Sequence, residues 1–245
     1  MKLQQLLSYV RKAVDDYNMI EEGDRIAIGI SGGKDSLALL HALSSLKRFY
    51  PKQFDICAVT VDLGFGNLNL DPVSEICDRL NVPYKIIKTD IAQIVFDERK
   101  ESNPCSLCAK MRKGALNYEI KEMGCNKVAF AHHKDDVVDT MMMSLVYEGR
   151  FHTFNPVTYL NRMDVTIIRP LIYINESDIV GFIRRYDIPV VKSPCPADKH
   201  TKREYIKQLV NEINRDAPGV RNRMFTAIKQ SDIGCWNGGD IFSPE

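Results

Sequence analysis

The sequence predicts an α/β protein in which a parallel sheet of about five strands carries helices on both faces. Three observations lead to this fold class. Short apolar runs alternate with helical patterns, the first run ends in a glycine-rich turn that opens a helix, and 245 residues suit one large domain with an appendage. Because such sheets bind ligands beyond the carboxyl ends of their strands, the polar residues that follow each strand are the functional candidates.

The elements have recognisable beginnings and ends. Helical spacing covers about Lys2 to Tyr17, and Gly23 then interrupts the chain before the first strand, Arg25 to Ile30. The remaining predicted strands are Ile56 to Asp62, Tyr84 to Asp90, Lys127 to His133 and Val165 to Leu171. The predicted helices between and after them are about 34–46, 71–80, 106–123, 135–148 and 175–186, followed by a mostly helical stretch to about Lys229. Gly124 and Gly149 end two of these helices, and Asn175 caps another.

This pattern divides the chain into four portions. We predict an N-terminal helix over 1–20, an α/β domain over 21–173, a helical C-terminal portion over 174–230 and a polar tail over 231–245. The stretch 187–196 is proline-rich and predicted to be extended.

Composition narrows the classes of function. The chain has 33 basic and 32 acidic residues, so a nucleic-acid surface would have to be local. No apolar run is long enough for a membrane span, and the charged N-terminus lacks the apolar core of a signal peptide. We therefore expect a cytoplasmic protein, in which the seven cysteines serve thiol, metal or cluster chemistry rather than structural disulfides.

The turn after the first strand has the composition of a phosphate site. It reads Ser31, Gly32, Gly33, Lys34, Asp35 and Ser36. Two glycines allow close approach of the backbone, and N–H groups at a helix N-terminus bind phosphate oxygens. Asp35 beside a phosphate suggests Mg²⁺. The stretch fits neither the Walker nor the Rossmann pattern, and the structural alternative is an ordinary capped turn.

Three cysteines form a second candidate site. Cys105 and Cys108 lie three apart at the start of a predicted helix, so both sulfurs share one face. Cys195 lies between Pro194 and Pro196, which stiffen its loop. We expect the helix N-terminus and the basic residues Lys110, Arg112 and Lys113 to lower the thiol pKa values. A thioredoxin-like pair, a zinc site completed by His200 and a [4Fe–4S] cluster all remain open. Cys57, Cys77 and Cys125 are predicted to be structural, and Cys235 is unassigned.

A third group of polar residues follows the fourth strand, with His132, His133, Asp135 and Asp136. A carboxylate here binds Mg²⁺ or moves a proton, and we favour Asp135 as the catalytic acid/base. The alternative is a helix cap. Asp62 is predicted either to contact a nucleotide together with His132 or merely to terminate its strand.

Together these motifs resemble the PP-loop ATP pyrophosphatase superfamily, which has an adenine nucleotide alpha hydrolase-like fold. The resemblance is closest to the tRNA 2-thiocytidine synthetase (TtcA-like) family in the tRNA 2-thiolation branch. It rests on S-G-G-K-D-S at 31–36, P-C-S-L-C at 104–108, A-H-H-K-D-D at 131–136, R-P-L at 169–171 and E-x-x-I-x-x-F-x-x-x-x-x-I-P at 176–189, leading into Cys195.

The resemblance implies an ATP-dependent sulfurtransferase. ATP would adenylate the C2 oxygen of a tRNA pyrimidine, with cytidine favoured, and sulfur would then displace AMP. A [4Fe–4S] cluster held by the matching Cys105, Cys108 and Cys195 would deliver that sulfur from an unidentified donor. The expected second C-x-x-C around Cys195 is absent, which a three-ligand cluster tolerates. The segment 195–200 departs from the pattern expected of a cytidine-32 enzyme, which leaves the target base open. The paired cysteines of the 2-thiouridine branch are also absent, which argues against that branch.

Partners and alternative functions follow from the same residues. A basic cluster, Lys192, Lys199, His200, Lys202 and Arg203, lies beside Cys195, with Arg184 and Arg185 upstream. It is either a tRNA surface or a solvated helix face. Any tRNA contact would come from the catalytic domain itself or from a homodimer. The alternatives are an ATP-dependent ligase of the tRNA-lysidine type, a similar enzyme with structural zinc, and a regulator without turnover.

Overall fold

The computed structural model describes residues 1–66, 68–99, 104–192, 194–195, 202–231, 233–234 and 236. The strands are β1 (Asp24–Gly29), β2 (Phe54–Asp62), β3 (Tyr84–Lys88), β4 (Lys127–Ala129), β5 (Val157–Leu160) and β6 (Val165–Ile168). The helices are α1 (Leu3–Asp16), α2 (Lys34–Leu46), α3 (Asp71–Arg79), α4 (Pro104–Glu122), α5 (Lys134–Glu148), α6 (Glu176–Arg185), α7 (Lys202–Asp216) and α8 (Val220–Gln230). A π-helical turn, Gln93–Glu98, precedes α4.

The strands form one six-stranded sheet with the order β3-β2-β1-β4-β6-β5. Every pairing is parallel except that of β5 with β6. The predicted α/β class is thereby confirmed, with one strand more than expected. The additional strand, β5, is a four-residue antiparallel edge strand that follows Pro156.

The sheet separates two apolar layers, because successive strand residues point to opposite faces. On one face, Ile26 and Ile28 pack into the larger core with α1, α2 and the C-terminal helices. On the other, Ala27 packs with Leu116 and Ile120 of α4. Helices therefore cover both faces, as predicted, and α4 lies on the face opposite α2.

The C-terminal helices complete the larger core rather than forming a separate one. Phe182 of α6, Ile206 of α7 and Phe225 of α8 are buried in the same cluster as Leu6 of α1. The predicted helical C-terminal portion is confirmed, whereas the exact division into four portions stays a prediction. Within the described residues, no helix combines the length and apolar character that a membrane span needs.

The strand order creates a crevice between β1 and β4. The chain leaves β1 towards β2 on one side, and it later returns to add β4 on the other side. The connections after β1 and β4 therefore diverge at the carboxyl edge, which is where open α/β sheets bind ligands. These two connections contain Ser31 to Ser36 and His132 to Asp136.

Candidate functional site

The glycine-rich turn between β1 and α2 is held by its two serines. The Ser36 hydroxyl donates to the Gly33 carbonyl at 2.9 Å, and the Gly33 N–H donates to Ser31 Oγ at 3.3 Å. The Ser31 N–H donates to Ser36 Oγ at 3.2 Å. Gly32 has φ +78, a conformation that favours glycine. These bonds fix the turn at the N-terminus of α2, whose first N–H groups have no acceptor within the helix and form the kind of site that binds anions.

The segment that leads to Cys195 is anchored on this turn. The Val191 N–H donates to the Gly32 carbonyl at 3.0 Å. A Cβ added at Gly32 would lie 2.8 Å from Val191 Cβ, so only glycine admits this contact. Four residues span at most about 14 Å. Cys195 is therefore tied to within a short distance of the turn.

The charge of Lys34 is shared between carboxylates from two helices. Its Nζ lies 2.9 Å from Asp35 Oδ2 and 3.0 Å from Glu176 Oε1, at the start of α6. Glu176 also contacts Lys207 Nζ of α7, at 2.7 Å. Burial raises the pKa of Glu176, but hydrogen bonds from Lys207 and Lys34 outweigh it and lower that pKa to about 2. Burial lowers the pKa of Lys34, but the carboxylates of Asp35 and Glu176 outweigh this effect, so the pKa of Lys34 is raised.

The sequence alone predicts no separate role for Glu176 and none for Lys207. The only signal for Glu176 was its place in the E-x-x-I pattern. Lys207 has no sequence signal, because its relation to the turn arises only when α7 packs beside α6.

Two histidines from the connection after β4 face this region. His132 packs against the Phe154 ring at a centroid distance of 4.8 Å. Burial and then the Arg169 charge lower the pKa of His132 to about 4, so the ring is neutral near pH 7. His133 is buried, and its Nε2 lies 3.7 Å from Asp35 Oδ1 and 3.4 Å from Asp136 Oδ2.

The predicted acid/base residue Asp135 is held by protein groups. Its Oδ2 accepts a hydrogen bond from the Glu176 N–H at 2.7 Å, and its Oδ1 lies 3.2 Å from Arg221 of α8. Arg221 is shared with Asp139, at 2.9 Å. These contacts are those of a residue that joins α5 to α6 and α8. The catalytic role of Asp135 stays a prediction, and a proton transfer would require it to give up one of these partners.

Asp62 ends β2 at the same sheet edge. Its Oδ1 accepts the Gly64 N–H at 3.0 Å, an arrangement that stabilises the turn after the strand. The structure therefore supports the strand-terminating role directly, while the predicted nucleotide contact stays a prediction.

Two of the three candidate cysteines, Cys105 and Cys195, are close enough to Cys108 to influence its pKa. Cys105 is exposed at the start of α4, and Cys108 and Cys195 are partly buried. Burial raises the pKa of the Cys108 thiol. Arg112 lowers it, and the neighbouring Cys195 and Cys105 raise it further. The expected lowering is therefore wrong for Cys108, because burial outweighs Arg112. Among the described residues, no three His, Cys, Asp or Glu side chains already form a metal-holding set.

The prediction that three further cysteines are structural can be compared with their burial, whereas the zinc alternative cannot be examined in full. Cys57, Cys77 and Cys125 are buried, as expected of structural residues. Several residues with a predicted role lie outside the described part of the chain: His200, the fourth ligand of the zinc alternative, Asn103, the expected N-cap of α4, Pro196 and Cys235.

The predicted basic cluster is partly occupied by contacts within the protein. Lys202 Nζ lies 4.8 Å from the centre of the Tyr147 ring, and Arg203 lies 3.4 Å from Asp136. Lys192 is exposed, as are Arg184 and Arg185 at the end of α6. Lys199 and His200 lie outside the described part of the chain.

Comparisons with known proteins identify the family of this chain. Residues 3–213 match the family model described as a PP-loop domain. A tRNA-cytidine(32) 2-sulfurtransferase of Syntrophotalea carbinolica is 36% identical over 220 residues, which cover 89% of this chain and 85% of the relative. The enzyme of the same name from Aliivibrio fischeri is 35% identical over 249 residues, or 94% of this chain and 81% of the relative.

Solved structures extend the comparison. The U34-tRNA thiolase NcsA from Methanococcus maripaludis, with its [4Fe-4S] cluster, is 25% identical with a TM-score of 0.76, and the match covers 93% of this chain and 77% of that one. The NH3-dependent NAD synthetase from Campylobacter jejuni, at 18% identity and a TM-score of 0.52, covers 100% of this chain and 98% of that one. The second likeness concerns the fold alone.

Proposed function

The chain belongs to the PP-loop family, among the tRNA-cytidine(32) 2-sulfurtransferases, and from this premise we propose that it replaces the C2 oxygen of a tRNA cytidine with sulfur at the expense of ATP. The observation that carries the proposal is the hydrogen bond from Val191 to Gly32, which ties the Cys195 segment to the phosphate-binding turn. ATP activates the C2 oxygen of the base, and sulfur then bonds to C2 while AMP leaves with that oxygen. Both steps therefore occur at one carbonyl group, so the two sites have to be close.

The turn is suited to the activation step. The N–H groups of Gly32 and of the first turn of α2 would bind the phosphates and stabilise pyrophosphate as it leaves. Lys34 supplies a positive charge at the same place. Adenylation is needed because an amide-like oxygen is a poor leaving group, whereas AMP is a good one.

The residues fit a divalent cation beside the phosphates. Asp35 Oδ1 is buried and accepts no hydrogen bond from the described residues, which is the state of an oxygen that awaits a ligand. Asp35 would hold Mg²⁺, which neutralises phosphate charge when bound. The neutral, partly buried His132 and the strand-end Asp62 are proposed to contact the nucleotide. Asp135 is retained as the proposed acid/base residue.

The thiols fit an iron–sulfur cluster by their chemistry. Cys105 and Cys108 lie one helical turn apart, and Cys195 is close enough to influence the pKa of Cys108. These three residues would hold a [4Fe–4S] cluster, and a bound cluster would supply the sulfur. The chain's own contribution is to fix Cys195 through the Val191 contact, so that sulfur meets the activated base.

The proposal is tested with anaerobically purified protein, unmodified tRNA, ATP, Mg²⁺ and sulfide. We expect mass spectrometry of the digested tRNA to show an ATP-dependent 2-thiocytidine. Cys105→Ser and Cys195→Ser should abolish it, whereas Cys77→Ala, at a buried cysteine of α3, should retain it. A colourless anaerobic protein with stoichiometric zinc, or product formation that survives both serine substitutions, would contradict the cluster-dependent reaction. ATP-dependent coupling of an amine to tRNA would instead support the ligase alternative.

A further inference from the structure

The first half of α4 carries positive charge that none of the described carboxylates pairs with. Lys110, Arg112 and Lys113 are all at the surface, where their side chains are exposed. Residues 104–118 contain no Asp or Glu, and the first acidic residue of the helix, Glu119, is paired with Lys85. Within the described part of the chain, none of the three has an ion-pair partner.

Other cations around the site differ in this respect. Lys34 and Lys207 share Glu176, Arg203 lies beside Asp136, and Arg221 is held by carboxylates of α5. Their charges are already used to join helices. In a chain whose formal net charge is only +1, the exposed charge on α4 is therefore a local feature.

The position of this charge relates it to the thiols. Cys105, Cys108 and Arg112 are spaced i, i+3 and i+7, so they share one face of the helix. The Arg112 charge acts on the Cys108 thiol. Lys113 lies about 8 Å further along the helix axis than Cys108, at 1.5 Å per residue. Lys110 and Lys113, spaced i and i+3, lie on the adjoining exposed side of the helix, with Lys113 between Lys110 and Arg112. A polyanion that crosses α4 from Lys110 to Arg112 would thus reach the side that carries the sulfur atoms.

We propose that Lys110, Arg112 and Lys113, the α4 basic face, bind the phosphate backbone of the tRNA next to the nucleotide that is modified. This inference rests on the proposed function, because it takes the thiols as the place where sulfur meets the base. Three cations spread over one turn match successive phosphates of a strand better than one small anion. The exposure of Cys105 leaves this side of the helix open to a large substrate.

The test compares tRNA binding by the wild type with binding by two variants. The double variant is Lys110→Gln/Lys113→Gln, and the triple variant adds Arg112→Gln. The double variant leaves Arg112 and the thiol environment intact. The matched control removes three exposed cations elsewhere, none of them in the predicted basic cluster: Arg48→Gln/Arg79→Gln/Arg162→Gln. Each lost phosphate contact should lower the slope of log affinity against log salt by about 0.7–0.9. We expect a decrease of about 1.5 for the double variant and about 2.5 for the triple variant, with a Kd raised about tenfold or more near 0.1 M salt.

A thiolation assay separates docking from chemistry. The double variant should show a raised KM for tRNA and an unchanged kcat at saturating tRNA, while the control triple variant matches the wild type in both. An unchanged salt slope in the α4 variants, or an equal loss in the control, would overturn the inference. A wild-type protein that binds tRNA but forms no 2-thiocytidine would instead count against the proposed function and leave the docking result interpretable.

Discussion

At the scale of single residues, Gly32 is the position in the site that most strictly requires a glycine. It combines φ +78 with a neighbour, Val191, that leaves no room for a Cβ. We expect Gly32→Ala to lower the free energy of unfolding by about 2 kcal/mol, of which about 1 kcal/mol comes from the backbone conformation. ATP affinity should fall as well, because Val191 must move. Chemical denaturation and ATP titration measure the two effects.

Gly23 offers a matched control for this substitution. It has φ +82, and a Cβ added there would meet nothing within 4 Å. Gly23→Ala should therefore show the backbone penalty alone and leave ATP affinity unchanged. If the two variants lose the same stability and both bind ATP normally, the contact between Gly32 and Val191 has no role in the site.

Glu176 permits a pH-dependent prediction. Its pKa in the folded protein is about 2, against an ordinary value of 4.5, because two lysines bind the carboxylate. The stability that it contributes is complete above about pH 4.5 and is lost as the pH falls from 4.5 towards 2. Glu176→Gln should cost roughly 1–3 kcal/mol near pH 7, and the difference from wild type should shrink over that window.

Denaturant unfolding at a series of pH values checks this prediction. Glu148→Gln is the control, since Glu148 is also paired but lies at the surface, where an ion pair contributes little. A difference between wild type and Glu176→Gln that stays constant from pH 6 to 3 would show that the lysine contacts do not stabilise the fold.

The sequence predicted which residues belong to this site better than it predicted the contacts between them. The Ser31–Ser36 turn and the cysteines are recognisable because each is a local pattern with a fixed spacing. The contacts among Lys34, Glu176 and Lys207 could not be predicted, because they join positions that are far apart in the chain. The raised pKa of Cys108 has the same origin, since burial depends on tertiary packing.

At the scale of elements, an arginine of α8 joins three helices. Arg221 contacts Asp135 and Asp139 of α5, and the Asp135 carboxylate also accepts the first N–H of α6. Burial raises the pKa of Asp139 despite Arg221. Arg221→Gln would leave two buried carboxylates without their cation, so we expect a loss of about 3 kcal/mol in unfolding free energy.

Combining this change with Asp139→Asn tests the pairing. The double variant should recover part of the loss of unfolding free energy, because one uncompensated charge is gone, and the double-mutant cycle measures the coupling between the two residues.

Asp135→Asn tests the predicted acid/base role of Asp135. Lost turnover with retained stability would favour the catalytic role, whereas lost stability with turnover retained in the folded fraction would favour the structural one.

The observed bounds of the strands show which of them the periodicity of the sequence could predict. Strands β1 to β3 lie close to their predicted positions, because apolar runs there are long and bounded by Gly, Pro or Asp. The short β5 was missed, since four residues after Pro156 carry little pattern. Strand β4 ends at Ala129 rather than His133, because the last residues of that run leave the sheet to form the site.

At the scale of the whole molecule, the C-terminal helices connect the core to the phosphate-binding turn. Helix α7 buries Ile206 in the larger core and, one residue later, places Lys207 on Glu176. Without Lys207, Glu176 would bind Lys34 alone and hold it away from a phosphate. We therefore expect Lys207→Met to raise the Kd for pyrophosphate with Mg²⁺ about tenfold, equivalent to about 1.4 kcal/mol of binding free energy.

Thermal unfolding with and without pyrophosphate measures how far Lys207 of α7 affects ligand binding at the turn. Pyrophosphate at about 100 times its Kd should stabilise the wild type by about 2.7 kcal/mol, and the same concentration should stabilise Lys207→Met by roughly half as much. Lys202→Met is the control, because Lys202 begins the same helix but contacts Tyr147 instead. An equal ligand-induced shift in all three proteins would contradict a link between α7 and the turn. A loss confined to Lys207→Met would show that α7, which sequence reasoning described only as part of a helical appendage, sets the charge available to the phosphates.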